Sequence, residues 1–550
     1  MKRILTTLLA ILMISASLHS QERAVIHNVQ TPVVTDRPYN ILAEITIGGS
    51  KEGPSTLESV DVIIDGIEAK AIRNVRLMYS GGMSVLATRR ECPVMNTRRG
   101  LIGAGDDTWY NPDYIMECSR VNKVKAGEPV HLVANKQLFP KRCSFYVSME
   151  IDGRKVRNLA ETFKVEIAGI TLDGRYINGK EIRQKGSTDH RLGINIANGG
   201  IDGTMVYRIP GIIRSNDGTL IAVYDIRYDS MWDLQSNIDI GVRRSTDGGH
   251  TWSKEIIAMD MGEWGGLPEG QNGIGDPAIL VDRQSGEIFI SAIWMNGPRN
   301  GMSWTGVGRG MAPHETGQIM IASSKDDGKT WSEPRNITPQ VKQPEWAMTL
   351  QGPGMGITLE DGTLVFAFQY TDIDDIIFSG VMYSKDHGKT WHTHAGAVPK
   401  TSEAQVVQLG NGDLMLNMRN QGGKGRRVAV TSDLGRTWQL HESDKALDEP
   451  VCMGSLIRVK GEDNITGKDI LLFSNPANTK QRTDITIKAS LDEGKTWKEC
   501  DSILLDEEEG WGYSCLTMID RETVGILYES STTHLIFQAV KLTDLINSGR

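Results

Sequence analysis

Apolar and polar residues alternate in short runs along the chain, and no long helical stretch is visible among its 550 residues. Runs such as residues 60–64 (VDVII) and 144–151 (SFYVSMEI), set between Gly and Pro turns, read as half-buried strands. From about residue 195 onward the pattern is organised by a repeat. The octapeptide Ser/Thr-x-Asp-x-Gly-x-Thr-Trp occurs at 245–252, 324–331, 384–391, 431–438 and 490–497. Three positions before each copy stands a β-branched apolar residue, Val242, Ile321, Val381, Val428 and Ile487, so each copy begins where a strand ends. In such a turn the Asp satisfies backbone amides, the Gly takes a positive φ and the Trp returns an anchor to the core. The repeat therefore reads as structural.

The copies recur on the order of every 60 residues, the size of a four-stranded propeller blade with its loops. A closed ring of blades hides its strand edges, and uneven spacing favours blades over a β-solenoid or a string of small domains. The expected fold is all-β: a six-bladed β-propeller over residues 190–550, preceded by a smaller β-sandwich over 21–185 that lacks the octapeptide. The polar stretch 178–191 (NGKEIRQKGSTDHR) reads as the linker.

Lys2 and Arg3 followed by an apolar stretch to Leu18 have the layout of a secretory signal peptide, with a mature chain expected from near Gln21. The stretch is shorter than the roughly 20 residues that a spanning helix needs, so a free periplasmic or secreted protein without membrane insertion is expected. A net charge of −9 argues against nucleic acid or an anionic membrane as partner, and any anionic ligand must be held by locally placed arginines. Cys92, Cys118 and Cys143 lie early and Cys452, Cys500 and Cys515 late; three in each region cannot all pair within their own domain, and none has metal-binding spacing. They read as mostly buried thiols, and no metal or organic cofactor is expected.

The octapeptide is the Asp-box, and residues 195–545 resemble the bacterial sialidase (neuraminidase) family. Tyr207-Arg208-Ile209-Pro210 is similar to that family's Phe/Tyr-Arg-Ile-Pro signature; Arg419, in 414–419 (LMLNMR), and Arg482, after 473–476 (FSNP), stand in similar contexts. The resemblance implies that these three arginines clamp the carboxylate of sialic acid, for which the planar, permanently charged guanidinium is suited. Residues 227–233 (RYDSMWD) resemble the segment that carries a substrate-binding arginine, here Arg227, and the acid/base aspartate, here Asp233, with Asp229 as the competing choice. A pKa raised by partial burial would suit that acid.

Residues 403–405 (EAQ) resemble a Glu-x-Gln motif and 511–515 (WGYSC) the nucleophile segment, which implies Tyr513 as nucleophile and Glu403 as acceptor of its proton. A neutral phenol avoids the repulsion that a carboxylate nucleophile would meet at an anomeric carbon bearing a carboxylate. Glu529, in Leu527-Tyr528-Glu529, matches the residue that orients the first arginine, and Asp276, in Gly275-Asp276-Pro277, matches a position near the sugar's 4-hydroxyl and amide substituents. The implied activity is hydrolysis of terminal sialic acids from sialylated glycans, with retention through a sialyl-enzyme intermediate. Trans-sialidase or anhydro-sialidase chemistry in the same pocket, and a non-catalytic glycan-binding propeller, are the alternatives; the last predicts gaps in the catalytic set, which is complete here.

Overall fold

The structure, a computed structural model, describes residues 23–50, 53–82, 115–140, 142–200, 203–234, 236–296, 307–498 and 501–547. The expected signal peptide, Cys92 and Cys500 lie outside these residues. The protein is nearly all-β, and its chain divides into two compact units, residues 1–193 and 194–550. Cys118, Cys143, Cys452 and Cys515 are free thiols, all but the half-buried Cys118 in the interior.

In the first unit one sheet runs in the order Arg183–Lys185, Ala24–Asn28, Asn40–Gly48, Arg142–Ile151, Ile72–Tyr79, Met116–Val121. A second pairs Thr162–Leu172 with Ser55–Asp65, and the latter with Pro129–Leu138. Alternate residues of both, such as Ile26, Ile45, Phe145 and Val147 from the first and Val60, Val62, Phe163 and Val165 from the second, form one apolar core. The stretch 178–191 is not a linker. Arg183–Lys185 pairs with Ala24–Asn28, Asp189–Arg191 pairs with 162–164, and Ile182 and His190 are buried between them. An edge strand is held through its backbone, so its polar side chains conceal the pairing.

Among the described residues, the antiparallel pairings of the second unit group its strands into six runs, numbered as sheets 1 to 6, of which the first two are joined by one parallel pairing of Ile238 with Gly273. Sheet 1 comprises Val206–Arg214, Leu220–Arg227, Ile238–Ser245 and Ile256–Met259. Sheet 2 comprises Asn272–Val281, Ile288–Asn296, Gln318–Ser324 and Arg335–Asn336. Sheet 3 is built on Thr349–Gln351, Leu364–Thr371, Ile377–Ser384 and His392–Thr393. Sheet 4 has Thr401–Gln408, Leu414–Asn420, Arg427–Thr431 and Gln439–Leu440, and sheet 5 has Ser455–Val459, Ile470–Pro476, Ile485–Ser490 and Ser502–Asp506. Sheet 6 consists of Ser514–Met518, Thr523–Tyr528 and Leu535–Lys541, with residues 194–197 pairing on the last of these. The first strand of each sheet from 2 to 6 lies against the preceding sheet, and that of sheet 6 lies against that of sheet 1.

The five octapeptides close the third strands of sheets 1 to 5 in one geometry. The Ser or Thr hydroxyl donates to the Asp, the Asp accepts from the amide and hydroxyl of the Thr, and the Gly amide donates to the first hydroxyl. Each repeat glycine has positive φ and faces the neighbouring sheet: Gly328 meets Ile221, Gly388 meets Phe289, Gly435 meets Val381, Gly494 meets Met415, and Gly249 of sheet 1 meets Phe537 of sheet 6. Of the repeat tryptophans only Trp391 is fully buried. The other four are half-buried at the rim, Trp252 packing edge-on against Phe537 and Trp497 against Phe473.

Candidate active site

Antiparallel pairing puts the start of a sheet's first strand and the finish of its second at one end, and the octapeptides at the other. All nine residues singled out by the sequence fall at the first of these ends. Arg208 lies on the first strand of sheet 1, Arg227 finishes its second, and Asp233 lies in the loop beyond. Asp276 and Glu403 lie on the first strands of sheets 2 and 4, and Arg419 is the penultimate residue of the second strand of sheet 4. Arg482 follows the second strand of sheet 5, while Tyr513 directly precedes the first strand of sheet 6 and Glu529 directly follows its second.

Tyr513 is the centre of the larger cluster. Its hydroxyl donates a hydrogen bond to Glu403 Oε1 and lies 3.1 Å from Arg419 Nη1, which donates to Glu403 Oε2 at 2.7 Å. The Arg208 and Arg482 guanidinium carbons stand 5.5 and 5.7 Å from the centre of its ring. Three cations thus surround one phenol. Burial and then the charge on Glu403 push the Tyr513 pKa well above its usual value, while Arg419 and Arg482 pull it the other way. The phenol is therefore neutral at rest, with its proton directed at a carboxylate.

Glu529, fully buried, uses both oxygens to order this cluster. Oε1 accepts from Arg208 Nε at 2.6 Å and from the Ile209 amide at 3.0 Å, and Oε2 accepts from the Tyr513 amide at 3.0 Å. It orients the first arginine and the tyrosine together, and Trp511 backs Arg208 with its ring centre 4.2 Å away. Arg482 donates to the carbonyls of Trp511 at 2.9 Å and Val451 at 3.3 Å.

A second cluster surrounds Arg227, which is fully buried and donates to Asp233 Oδ1 at 2.8 Å, to the Met231 carbonyl at 2.9 Å and twice to Asp225 Oδ2, at 2.7 and 3.0 Å. Asp233, its side chain 43% exposed, is the aspartate in contact with Arg227, while Asp229 is exposed on the same loop. The expected raised pKa is not found. Burial pushes the Asp233 carboxyl up, but Arg227, Arg208 and Arg482 together hold it below the usual carboxylate range. Asp276 has the opposite balance: burial first, then the charges of Asp225, Asp233 and Glu403, push its pKa well up, in the direction that favours the protonated acid.

Asp225 was not legible as a site residue. It reads as one polar position in an apolar strand, yet it is fully buried, and its Oδ1 accepts from the Asp276 amide at 2.9 Å while its Oδ2 holds Arg227. Burial pushes its carboxyl up to about 6 against the pull of Arg227. The one available signal was its spacing: two residues before Arg227 on a strand, it must share that side chain's face. Backbone strain also gathers here. Ile209 (φ 58°), Leu234 (φ 55°), Asp276 (φ 53°) and Val451 (φ 55°) adopt the left-handed region, each within one residue of, at, or bonded to a candidate group. Such conformations persist where the surroundings over-determine them.

Residues 231–526 match the BNR repeat-like domain, and residues 21–176 match the N-terminal domain of BNR-repeat neuraminidase. A sialidase of Bacteroides fragilis is 44% identical over 95% of this chain and 95% of its own length. A sialidase of Micromonospora viridifaciens is 33% identical over 63% of this chain and 52% of its own. Among solved structures, Hadza microbial sialidase Hz136 aligns with a TM-score of 0.85 at 44% identity, covering 94% of this chain and 99% of that one. With the Asp-boxes, the BNR-type domains and this relationship along nearly the whole chain, the protein belongs to the sialidase family of glycoside hydrolases.

Proposed function

We propose that this exo-α-sialidase works with retention of configuration, with Tyr513 as nucleophile, Glu403 as its base and Asp233 as acid/base, on a six-bladed propeller. The observation that carries the reading is the convergence of Arg208, Arg419 and Arg482 on one tyrosine whose hydroxyl donates to Glu403. Three guanidinium groups suit a substrate carboxylate, and sialidases are the established case of glycosidases with a tyrosine nucleophile.

In the first step Tyr513 Oη bonds to the anomeric carbon and its proton passes to Glu403, while Asp233 gives its proton to the departing glycosidic oxygen. In the second, Asp233 takes a proton from water, whose oxygen bonds to the anomeric carbon, and the phenolate leaves, recovering its proton from Glu403. Asp233 must be protonated for the first step although the free enzyme holds its pKa low. A bound carboxylate offsets the charge of Arg208 and Arg482, and loss of water strengthens the burial effect. Asp276, whose surroundings favour its protonated form, suits hydrogen bonding to a sugar substituent.

The ring reading is supported by sheet-on-sheet contact in series and by Gly249 of sheet 1 seated against Phe537 of sheet 6. Residues 190–550 are then the catalytic domain and 21–185 a separate β-sandwich. Lys2, Arg3 and the apolar stretch after them support export to the periplasm or beyond. The test is cleavage of 4-methylumbelliferyl α-N-acetylneuraminide, with the first-formed sugar anomer followed by proton NMR. Release of the α-anomer, abolished in Tyr513→Phe, is expected. First release of the β-anomer would overturn retention.

A further inference from the structure

We infer that the buried ion pair Arg426–Glu449, outside the catalytic set, is a positioning device that sets Arg419 and Arg482 in register for the substrate carboxylate. The inference rests on the proposed role of those two arginines.

Arg426 directly precedes the third strand of sheet 4, and Glu449 lies in the connection to sheet 5. Both side chains are 0% exposed and 3.0 Å apart. Two charges so far from water carry a large desolvation cost, offset only if their remaining donors and lone pairs are engaged. They are engaged, and almost wholly with backbone. Arg426 Nε donates to Asn417 Oδ1 at 2.6 Å, Nη2 to the Asn417 carbonyl at 3.2 Å and Nη1 to the Cys452 carbonyl at 2.6 Å. Glu449 Oε1 accepts from the Asn420 amide at 2.6 Å, and Oε2 from the Cys452 amide at 3.4 Å.

These bonds have a pattern. On one side they grip Asn417 and Asn420, which flank Arg419. On the other they grip both the amide and the carbonyl of Cys452, next to Val451. Val451 is β-branched at φ 55°, a strained conformation that survives only under external constraint. Its carbonyl receives Arg482 Nη2 at 3.3 Å. The pair thus holds, from one point, the strand end that carries Arg419 and the strained peptide that aims Arg482. Neither Arg426 nor Glu449 bonds to Tyr513 or Glu403, so both act through other residues. Stability alone is a weak reason for such a pair, because well-packed apolar replacements of buried ion pairs are often neutral or stabilising.

That property supplies the test. In the full-length protein, Glu449→Gln and the double variant Arg426→Met/Glu449→Leu are compared with wild type by thermal unfolding and by KM and kcat on 4-methylumbelliferyl α-N-acetylneuraminide. The expected result is a double variant that melts within a few degrees of wild type but has a KM raised tenfold or more, with Glu449→Gln displaced in the same direction. KM does not depend on how much of a sample is folded. A wild-type KM in both variants, whether or not total activity has fallen with folded fraction, would therefore overturn the inference. Absence of turnover by the wild type would instead count against the catalytic reading on which the inference rests.

Discussion

Asp233→Asn should harm the enzyme in proportion to how poor the leaving group is. The substitution keeps the shape and leaves Oδ1 able to accept from Arg227 Nη1, now 2.8 Å away, so the loop and the buried arginine stay in place. What disappears is the transferable proton. General acid catalysis contributes about 10²–10⁴-fold, or roughly 2.7–5.4 kcal/mol at 1.36 kcal/mol per tenfold. Sialyllactose, whose leaving group is a sugar alcohol, should lose all of that in kcat/KM. The umbelliferyl glycoside, whose leaving group is an acidic phenol, should lose about tenfold or less. Glu403→Gln is the internal control: it disables the nucleophile, so both substrates should suffer alike. The pH dependence has a definite sign. Because Asp233 is held low in the free enzyme, its protonated fraction grows as pH falls, and kcat/KM on sialyllactose should climb from pH 7 toward 4 more steeply than on the aryl substrate. The assay is steady-state kinetics on the two substrates side by side. Equal loss on both in Asp233→Asn would refute its assignment as the acid.

Gly512→Ala should lower both the melting temperature and kcat/KM. Gly512 has φ 87°, and an added Cβ would lie 2.8 Å from Pro476 Cγ and 3.2 Å from Arg482 Cβ and Cys452 Sγ, a cost of about 1–3 kcal/mol felt next to Tyr513. Acid stability follows from the repeat aspartates. Hydrogen bonds from the repeat threonines hold Asp326 and Asp433 at about 2, and at Asp386 hydrogen bonds reach the same value against burial. These folded-state values lie below the unfolded value of about 3.9, so their contribution is complete above that pH and is lost as pH falls through 2. Urea midpoints should therefore fall progressively between pH 4 and 2, and flat midpoints across that window would contradict the assignment.

What could be read in advance from the sequence was what local pattern encodes. The Asp-boxes end third strands because their turn chemistry lies within eight residues, and Glu529 pairs with Arg208 as the resemblance implied. What could not be read was non-local. Asp225 looked like a polar interruption in an apolar strand, and its importance comes from Arg227 and the Asp276 amide, the latter from another sheet. Nothing in the sequence singles out Arg426 and Glu449, because burial of an ion pair is decided by partners that sequence spacing does not bring together. The low pKa of Asp233 likewise needs Arg208 and Arg482, brought near only by folding.

The strand formed by residues 194–197 has a consequence for how the chain is made. It pairs with 535–537, so sheet 6 joins the two ends of the second unit. Of the described contacts in that unit this is among the most distant in sequence, and chain entropy makes such contacts slow to form. During synthesis sheets 1 to 5 can each assemble from neighbouring hairpins as they emerge, but residues 194–197 must wait with an unpaired edge until the last strand leaves the ribosome. Tyr513 and Glu529 flank the first two strands of sheet 6, so a chain truncated before residue 513 lacks both the phenol and the carboxylate that bonds to Arg208.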